Sequence, residues 1–282
     1  DYVTVEDGTG LVHTAPGHGA EDYTTGLREH LPVYSPVKAD GTYDETAPEW
    51  LRGVDVWTAN KKVTEWLKNS GHLFHSHTFT HSYPHDWRSK TPTIFRCTEQ
   101  WFVSVDGGGE AGSRKTATGQ PAPNLRGMAL AAVDSRDGDR RVNFVPEWGR
   151  NRMRGMLESR PDWCISRQRA WGLPIPAFEL ANGRTLMTGA SVRAVAKVVR
   201  EKGADAWFTL SPAELLKYYD VAADAAARNI GYADTASLAA GAKKGNDILD
   251  VWFESGSSWN AVMRERGLGY PVDLYLEGSD QH

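Results

Sequence analysis

Two stretches of this 282-residue chain gather residue types that handle charged small molecules. In the first, Gly8-Thr9-Gly10-Leu11-Val12-His13-Thr14-Ala15-Pro16-Gly17-His18-Gly19-Ala20-Glu21-Asp22-Tyr23, a strand delivers His13 to a loop of small residues and proline, and two carboxylates open the next helix. Small residues let a substrate approach the backbone, and a carboxylate so placed can receive an ammonium group. The alternative is a glycine-rich turn with Glu21 and Asp22 at a helix N-terminus, where the helix dipole favours negative charge; spacing alone favours this alternative. In the second stretch an apolar strand, 272–276, runs into a Gly-Ser turn flanked by Glu277 and Asp280. Ligands of open parallel α/β sheets sit beyond the carboxyl ends of the strands, where acidic groups bind ribose hydroxyls. A polar turn after a strand is the plainer alternative, although it does not require two acids beside a glycine.

Two other clusters invite chemistry and carry less of it. His72, His75, His77, His81 and His85 lie close in sequence, with His75, His77 and His81 on one face of a predicted strand over 72–85. A zinc site takes four convergent ligands, often with cysteine, and no cysteine or acid is spaced to complete one here, so an exposed connecting strand is favoured. Between Arg160 and Gly172, Arg160, Arg167 and Arg169 alternate with Trp163 and Trp171. That mixture suits phosphate and base contact and equally suits cation–π packing inside a core.

Helical and turn signals supply the frame. Residues 1–75 read as one α/β unit with strands at 2–5 and 11–14, a helix at 21–30 and another at 60–69. The last carries Val63, Trp66 and Leu67 on one face, with Gly71 where a C-terminal cap is expected. Residues 107–124 are rich in Gly, Ser, Thr and Pro and have little to bury, as in a mobile surface insertion. A helix is expected at 148–159. Residues 178–246 have the character of an inserted helical module, with Val192, Val195, Val198 and Val199 on one face of 191–203. Ser211-Pro212-Ala213-Glu214 there forms a capping box with proline at the first helical position. A further strand and turn occupy 248–259.

The net charge of −4 excludes a uniformly basic nucleic-acid binder, so any such partner must meet local basic stripes. Two cysteines, Cys97 and Cys164, are too few for a disulfide scaffold and point to a reducing compartment, the cytoplasm. No run approaches the 18 apolar residues of a membrane span.

Taken together, the 8–23 string, Asp250-Val-Trp-Phe-Glu-Ser-Gly256 and Leu276-Glu-Gly-Ser-Asp-Gln-His282 resemble the class I aminoacyl-tRNA synthetases, and within them the isoleucyl-tRNA synthetases. Arg160-Pro-Asp-Trp-Cys-Ile-Ser-Arg-Gln-Arg-Ala-Trp-Gly172 resembles the isoleucyl, leucyl and valyl branch, and its role stays open. The resemblance implies an α/β fold: the C-terminal part of an editing domain joined to part of a Rossmann-like catalytic domain with helical insertions. It places the C-terminal half of the editing domain at 1–75, a connecting ribbon at 76–106 and the flexible insertion at 107–124. A catalytic-domain insert follows at 125–177, the helical insertion at 178–246, and a truncated core segment at 247–282.

The activity implied is ATP-dependent activation of isoleucine and its transfer to tRNA(Ile), with hydrolytic editing of misacylated Val-tRNA(Ile). In the editing half, Asp22 matches the residue that holds the α-amino group of the misacylated amino acid, with His13 as a weaker second. Glu277, Gly278, Asp280 and Gln281 match adenylate contacts, and Trp252 a wall of the isoleucine pocket. Glu254 departs from the usual Asp. The partners implied are tRNA(Ile), isoleucine and ATP with magnesium, and the parent is expected to be a cytoplasmic monomer off the membrane. Some relatives carry a Cys-x-x-Cys zinc knuckle where this chain has Asp86 and Ser89, so no zinc is expected. The phosphate-handling His-x-Gly-His and Lys-Met-Ser-Lys-Ser motifs do not occur here, and the chain starts at Asp1 and stops in mid-motif. The expectation is an internal fragment with no catalytic residue of its own and no aminoacylation activity alone. The rival from another class is a non-catalytic synthetase-derived module that binds tRNA or another partner.

Overall fold

The computed structural model describes residues 3, 6, 10–107, 124–134, 142–227 and 229–276. The chain divides into two compact units, Asp1–Glu99 and Gln100–His282, with mixed helix and strand.

In the first unit, helix α1 spans Ala20–Arg28 and α2 spans Val56–Asn69. Helix α2 begins earlier than its apolar periodicity suggests because Asp55 caps it, accepting from Trp57 N at 3.1 Å and Thr58 N at 3.0 Å. Hydrogen bonds from Thr58 and Trp57 hold the Asp55 carboxyl below the usual range. The helix ends as expected, with Gly71 at φ +74° just past Ser70. Ala47, Leu51 and Ala59 form the core beneath it, flanked by Val63, and Trp50 stacks on Trp66 with centroids 5.6 Å apart. Residues 92–97 fold back over this unit: Cys97 N donates to Gly17 O at 2.7 Å and Arg96 Nε to Val37 O.

Several expected strands are not paired into a sheet. Residues 11–14 carry no strand, nor do residues 72–83, whose side chains are almost all exposed. Of 2–5, only Val3 lies among the described residues. The 72–85 segment is nonetheless extended: the rings of His75, His77, Phe79, His81, Tyr83 and His85 follow one another at centroid spacings of 5.0–6.4 Å. Side chains two apart share a face in extended backbone, but a strand also needs a neighbour, and only His85 finds one, bridging to Pro92.

The second unit is stitched by ladders two residues long. Strand β1 (Phe102–Val103) pairs with β2 (Trp163–Cys164), and β3 (Ser166–Arg167) pairs with β7 (Ile248–Leu249). Strand β4 (Phe178–Glu179) lies between β5 (Thr185–Leu186) and β6 (Lys243–Lys244). Every ladder among the described residues is antiparallel. Helices α3 (Leu125–Asp134) and α4 (Gly149–Ser159) are joined by Arg126, which forks onto Asp106 and donates to the carbonyls of Leu157, Glu158 and Arg160. Of the 107–124 insertion, residues 108–123 lie outside the described residues.

The largest core lies within 178–246. Helix α5 (Gly189–Lys202) starts on a capping box between Thr188 and Ser191, stops at Gly203, and buries Val195 and Val198. Short helices α6 (Ala206–Thr209), α7 (Pro212–Leu215) and α8 (Thr235–Ala240) close around it, and α7 carries the expected Ser211–Glu214 box. Phe178, Leu186, Trp207, Leu215, Leu216 and Leu238 pack at the centre. Inside this core Asp224 accepts from Thr188 Oγ1 and, at 3.0 Å, from Tyr219 OH. Burial, then the neighbouring Asp224, push the Tyr219 phenol up.

No helix among the described residues is long and apolar enough to cross a membrane.

One polar tie fixes α6 to β6 within the module: Lys244 Nζ donates to the carbonyls of Trp207 and Leu210 at 2.7 Å each, closing the C-terminal end of α6. Lys244→Met leaves those carbonyls without a donor and should destabilise by about 1–3 kcal/mol. The exposed neighbour Lys243→Met should change stability by less than about 0.5 kcal/mol. Urea unfolding of the two variants side by side checks the difference.

Candidate functional site

In the second unit the polypeptide leaves β7 at Leu249 and turns directly into helix α9, Val251–Ser258. Of the strand and turn expected over 248–259, the strand is confined to Ile248–Leu249 and a helix takes the place of the rest. The apolar run reads as strand by composition, but Asp250 accepts from Trp252 N at 3.2 Å and starts a helix instead. Trp252 therefore stands on the first turn of a helix, 43% exposed, and not on a buried strand. The helix continues into a π-helical turn, Trp259–Arg264.

Helix α9 faces α4 and β2 across a cavity of about 500 Å³. Its walls are apolar and aromatic: Met153, Met156 and Leu157 from α4, Trp163 from β2, and Trp252 and Trp259 from the other side. Arg160, Ser255, Ser258 and Tyr275 also line it. The Tyr275 hydroxyl lies 2.6 Å from Ser255 Oγ and donates to Ser255 O at 2.8 Å. That bond, and not a strand, holds 272–276, which pairs with no strand among the described residues. A second, more polar compartment of about 580 Å³ adjoins the first and shares Trp163 and Trp252, with Asp162, Arg167 and Asp250 on its lining.

The buried Asp250 carboxylate organises both compartments. Its Oδ2 accepts from Arg167 Nη2 at 2.8 Å and from Trp163 Nε1 at 3.1 Å. Its backbone N donates to Ile165 O at 2.8 Å. Around it, Gln100 Oε1 accepts from Ser166 Oγ at 2.7 Å and Gln168 Nε2 at 3.2 Å, and Gln168 reaches Asp247 at 2.8 Å. The Arg160–Gly172 segment is thus tied in place by its polar side chains, although Trp171 at 85% exposure is packed against little. Glu254 accepts from Leu173 N at 3.3 Å.

In the first unit, α1 and the loop before it form the other candidate site. Asp22 Oδ2 accepts from Ala15 N at 2.8 Å and so folds the loop back onto the helix start. Glu21 is exposed in the first turn. His13 is exposed, and no hydrogen bond joins it to Asp22 among the described residues. The loop histidine with a fixed place is His18, whose Nδ1 lies 2.8 Å from Phe95 O.

Of the expected site residues, Trp252 and Asp22 occupy built surroundings. Glu277, Gly278, Asp280 and Gln281 lie outside the described residues. Asp250, Trp163, Trp259, Tyr275 and His18 were not expected at the sites. Asp250 alone had a usable signal, an acid directly before an aromatic run at a helix start.

Among the described residues no three His, Cys, Asp or Glu side chains form a metal-binding group. The positions of a zinc knuckle do not suit the metal either. Asp86 Oδ2 is taken by Ser89 N at 2.7 Å and Arg88 N at 3.2 Å, and Ser89 Oγ lies 2.6 Å from Thr91 Oγ1, so the turn satisfies itself.

Residues 24–282 match the family model described as tRNA synthetases class I (I, L, M and V). Over 286 residues the chain is 45% identical to the isoleucine–tRNA ligase of Fervidobacterium pennivorans, using all of this chain and 27% of that protein. It is 43% identical over 282 residues to the isoleucine–tRNA ligase of Lactobacillus acidophilus, again over the whole chain and 26% of the relative. The corresponding protein of a Nostoc species is 43% identical over 284 residues, 26% of its length. The chain spans about a quarter of the length of these curated relatives.

The Asp22 loop leaves no room at Gly17, where a Cβ would sit 2.1 Å from Tyr34 O and 3.0 Å from Ser35 Cβ. Gly17→Ala must displace backbone and should cost about 1–3 kcal/mol, the usual size of an overpacking defect. Thermal unfolding, with limited proteolysis to locate the loosened loop, checks it.

Proposed function

The chain belongs to the class I tRNA synthetases (I, L, M and V), and from that premise we propose that it is part of an isoleucine–tRNA ligase. The whole protein joins isoleucine to tRNA(Ile) in two steps, with ATP as its magnesium complex consumed in the first. In this reading residues 1–75 are the C-terminal half of an editing domain, and 247–282 belong to a Rossmann-like catalytic core. The observation that carries the proposal is the aromatic cavity of about 500 Å³ around Trp252.

The chemistry follows from what those walls do. Apolar side chains and the faces of indoles take a branched aliphatic group out of water. The adenylate forms by attack of the amino-acid carboxylate on the α-phosphate of ATP, breaking the bond to the β-phosphate and releasing pyrophosphate. In such a reaction the protein positions and stabilises charge and makes little covalent chemistry of its own. Glu277, Gly278, Asp280 and Gln281 follow Tyr275 closely in sequence and are assigned to the adenylate.

Valine differs from isoleucine by one methylene, worth only about 1–3 kcal/mol in an apolar pocket. A second, hydrolytic site is the physical answer, and Asp22 belongs to it. One carboxylate oxygen is fixed by Ala15 N, which leaves the other to accept from the α-ammonium of a misplaced valine. His13 is a lesser contact of that site.

Two variants of the full-length protein separate the sites. Trp252→Ala removes a pocket wall and should raise the KM for isoleucine in ATP–pyrophosphate exchange by about tenfold or more, with little change in the KM for ATP. An unchanged isoleucine KM would refute the pocket assignment.

Asp22→Ala should slow hydrolysis of Val-tRNA(Ile) by about ten- to a hundredfold, the size of a lost charge-assisted hydrogen bond, and leave isoleucine activation intact. Glu21→Ala should do much less, and His13→Ala should fall between them. Equal deacylation by wild type and Asp22→Ala would show that Asp22 serves only the loop.

A further inference from the structure

Two of the residues whose indoles wall the cavity are held by one carboxylate, which lines the adjoining polar compartment. We propose that Asp250 is a positioning residue for the amino-acid pocket, setting Trp163 and Trp252 in register with each other. The proposal rests on the assignment of that cavity to the amino-acid side chain.

The geometry is specific. One oxygen, Oδ1, holds Trp252 N at 3.2 Å and so fixes the first turn of α9, from which the Trp252 side chain projects. The other, Oδ2, holds the Trp163 indole N–H at 3.1 Å. A single carboxylate therefore couples the backbone of α9 to a ring carried by β2. The ring of Trp163 is steadied further by Phe253, 6.1 Å away between centroids. Asp250 is 4% exposed, and Arg167, at 2.8 Å, supplies the counter-charge that a buried carboxylate needs.

A helix cap alone would require only the Oδ1 bond. The Oδ2 bonds to Trp163 and Arg167 reach residues 83–87 positions away in the chain, and an indole N–H has one donor to give. Relative placement of the two walls is thus decided at this carboxylate. A shape-selective pocket is sensitive to small displacements of its walls, so loosening the pair should act on recognition of isoleucine rather than on the chemical step.

The test uses the full-length protein and three variants: Asp250→Asn, Trp163→Phe and the double variant. Asp250→Asn keeps the side-chain shape but replaces one acceptor with a donor. Trp163→Phe keeps an aromatic wall and removes only the N–H. In ATP–pyrophosphate exchange, Asp250→Asn is expected to raise the isoleucine KM about tenfold with kcat within about twofold and the ATP KM unchanged. Trp163→Phe should raise it by a smaller factor, and the double variant should be no worse than Asp250→Asn, because both break one interaction. Additive effects, or a loss of kcat at unchanged isoleucine KM, would overturn the proposal.

A ligand-independent readout separates this from the pocket assignment. In protein labelled with 5-fluorotryptophan, Trp163 and Trp252 are identified by their loss in Trp163→Phe and Trp252→Phe. Asp250→Asn should shift both fluorine signals, and Trp163→Phe should shift that of Trp252. If the wild type shows no isoleucine-dependent exchange, the pocket assignment fails while the fluorine shifts still decide whether Asp250 sets the two rings. Unmoved signals in Asp250→Asn, or in Trp163→Phe should the first variant not fold, would refute the positioning role.

Discussion

A carboxylate buried among aromatic rings determines how the second unit is assembled. Taken out of water, the Asp250 side chain would be costly unless every approach to it carried a donor. The chain supplies a guanidinium, an indole N–H and a helix-start N–H, each from a different local segment or turn. Meeting that requirement forces β2, β3 and α9 into one arrangement, and the cavity is the space left between them and α4.

The need for such a tie is plain from the ladders. A pair of strands two residues long has few backbone hydrogen bonds, too few to define where the neighbouring helices sit. Side chains do that work instead: the Gln100–Ser166–Gln168–Asp247 chain beside β3, and Arg126 binding the end of α4. The 178–246 module follows the opposite strategy. It is held by a packed apolar centre, with Lys244 and the Asp224–Tyr219 pair as its few buried polar ties. Specificity of arrangement is thus polar around the cavity and apolar in the insertion.

Helices were largely legible in the sequence because their signals are local. The caps at Ser211 and Gly71, the valine face of α5, and the placing of α1 and α4 all follow from residues within a turn or two. Strands were not legible to the same degree. Residues 11–14, 72–83 and 272–276 have the composition of strands, yet a strand exists only through a partner that composition does not name. Beyond Leu249 the 248–259 run departed for a different reason: short apolar runs are ambiguous between helix and strand, and one capping acid decided the matter. At the sites, Trp252 and Asp22 were reached through resemblance. Trp163 and Tyr275 were not, since their importance lies in contacts with residues 87 and 20 positions away.

The two indoles facing the cavity differ in what the frame asks of them. Trp252 contributes its backbone N–H to the Asp250 carboxylate, a group every residue except proline possesses, and the helix it stands on is fastened again at Glu254. Trp163 contributes its ring N–H, which no aliphatic or purely hydrocarbon side chain can replace. Substitution at 252 therefore reshapes the cavity while its scaffold stands, whereas substitution at 163 removes one of the donors that a buried carboxylate relies on. Divergence in which side chain the cavity accepts has an open route through one wall and a costlier one through the other.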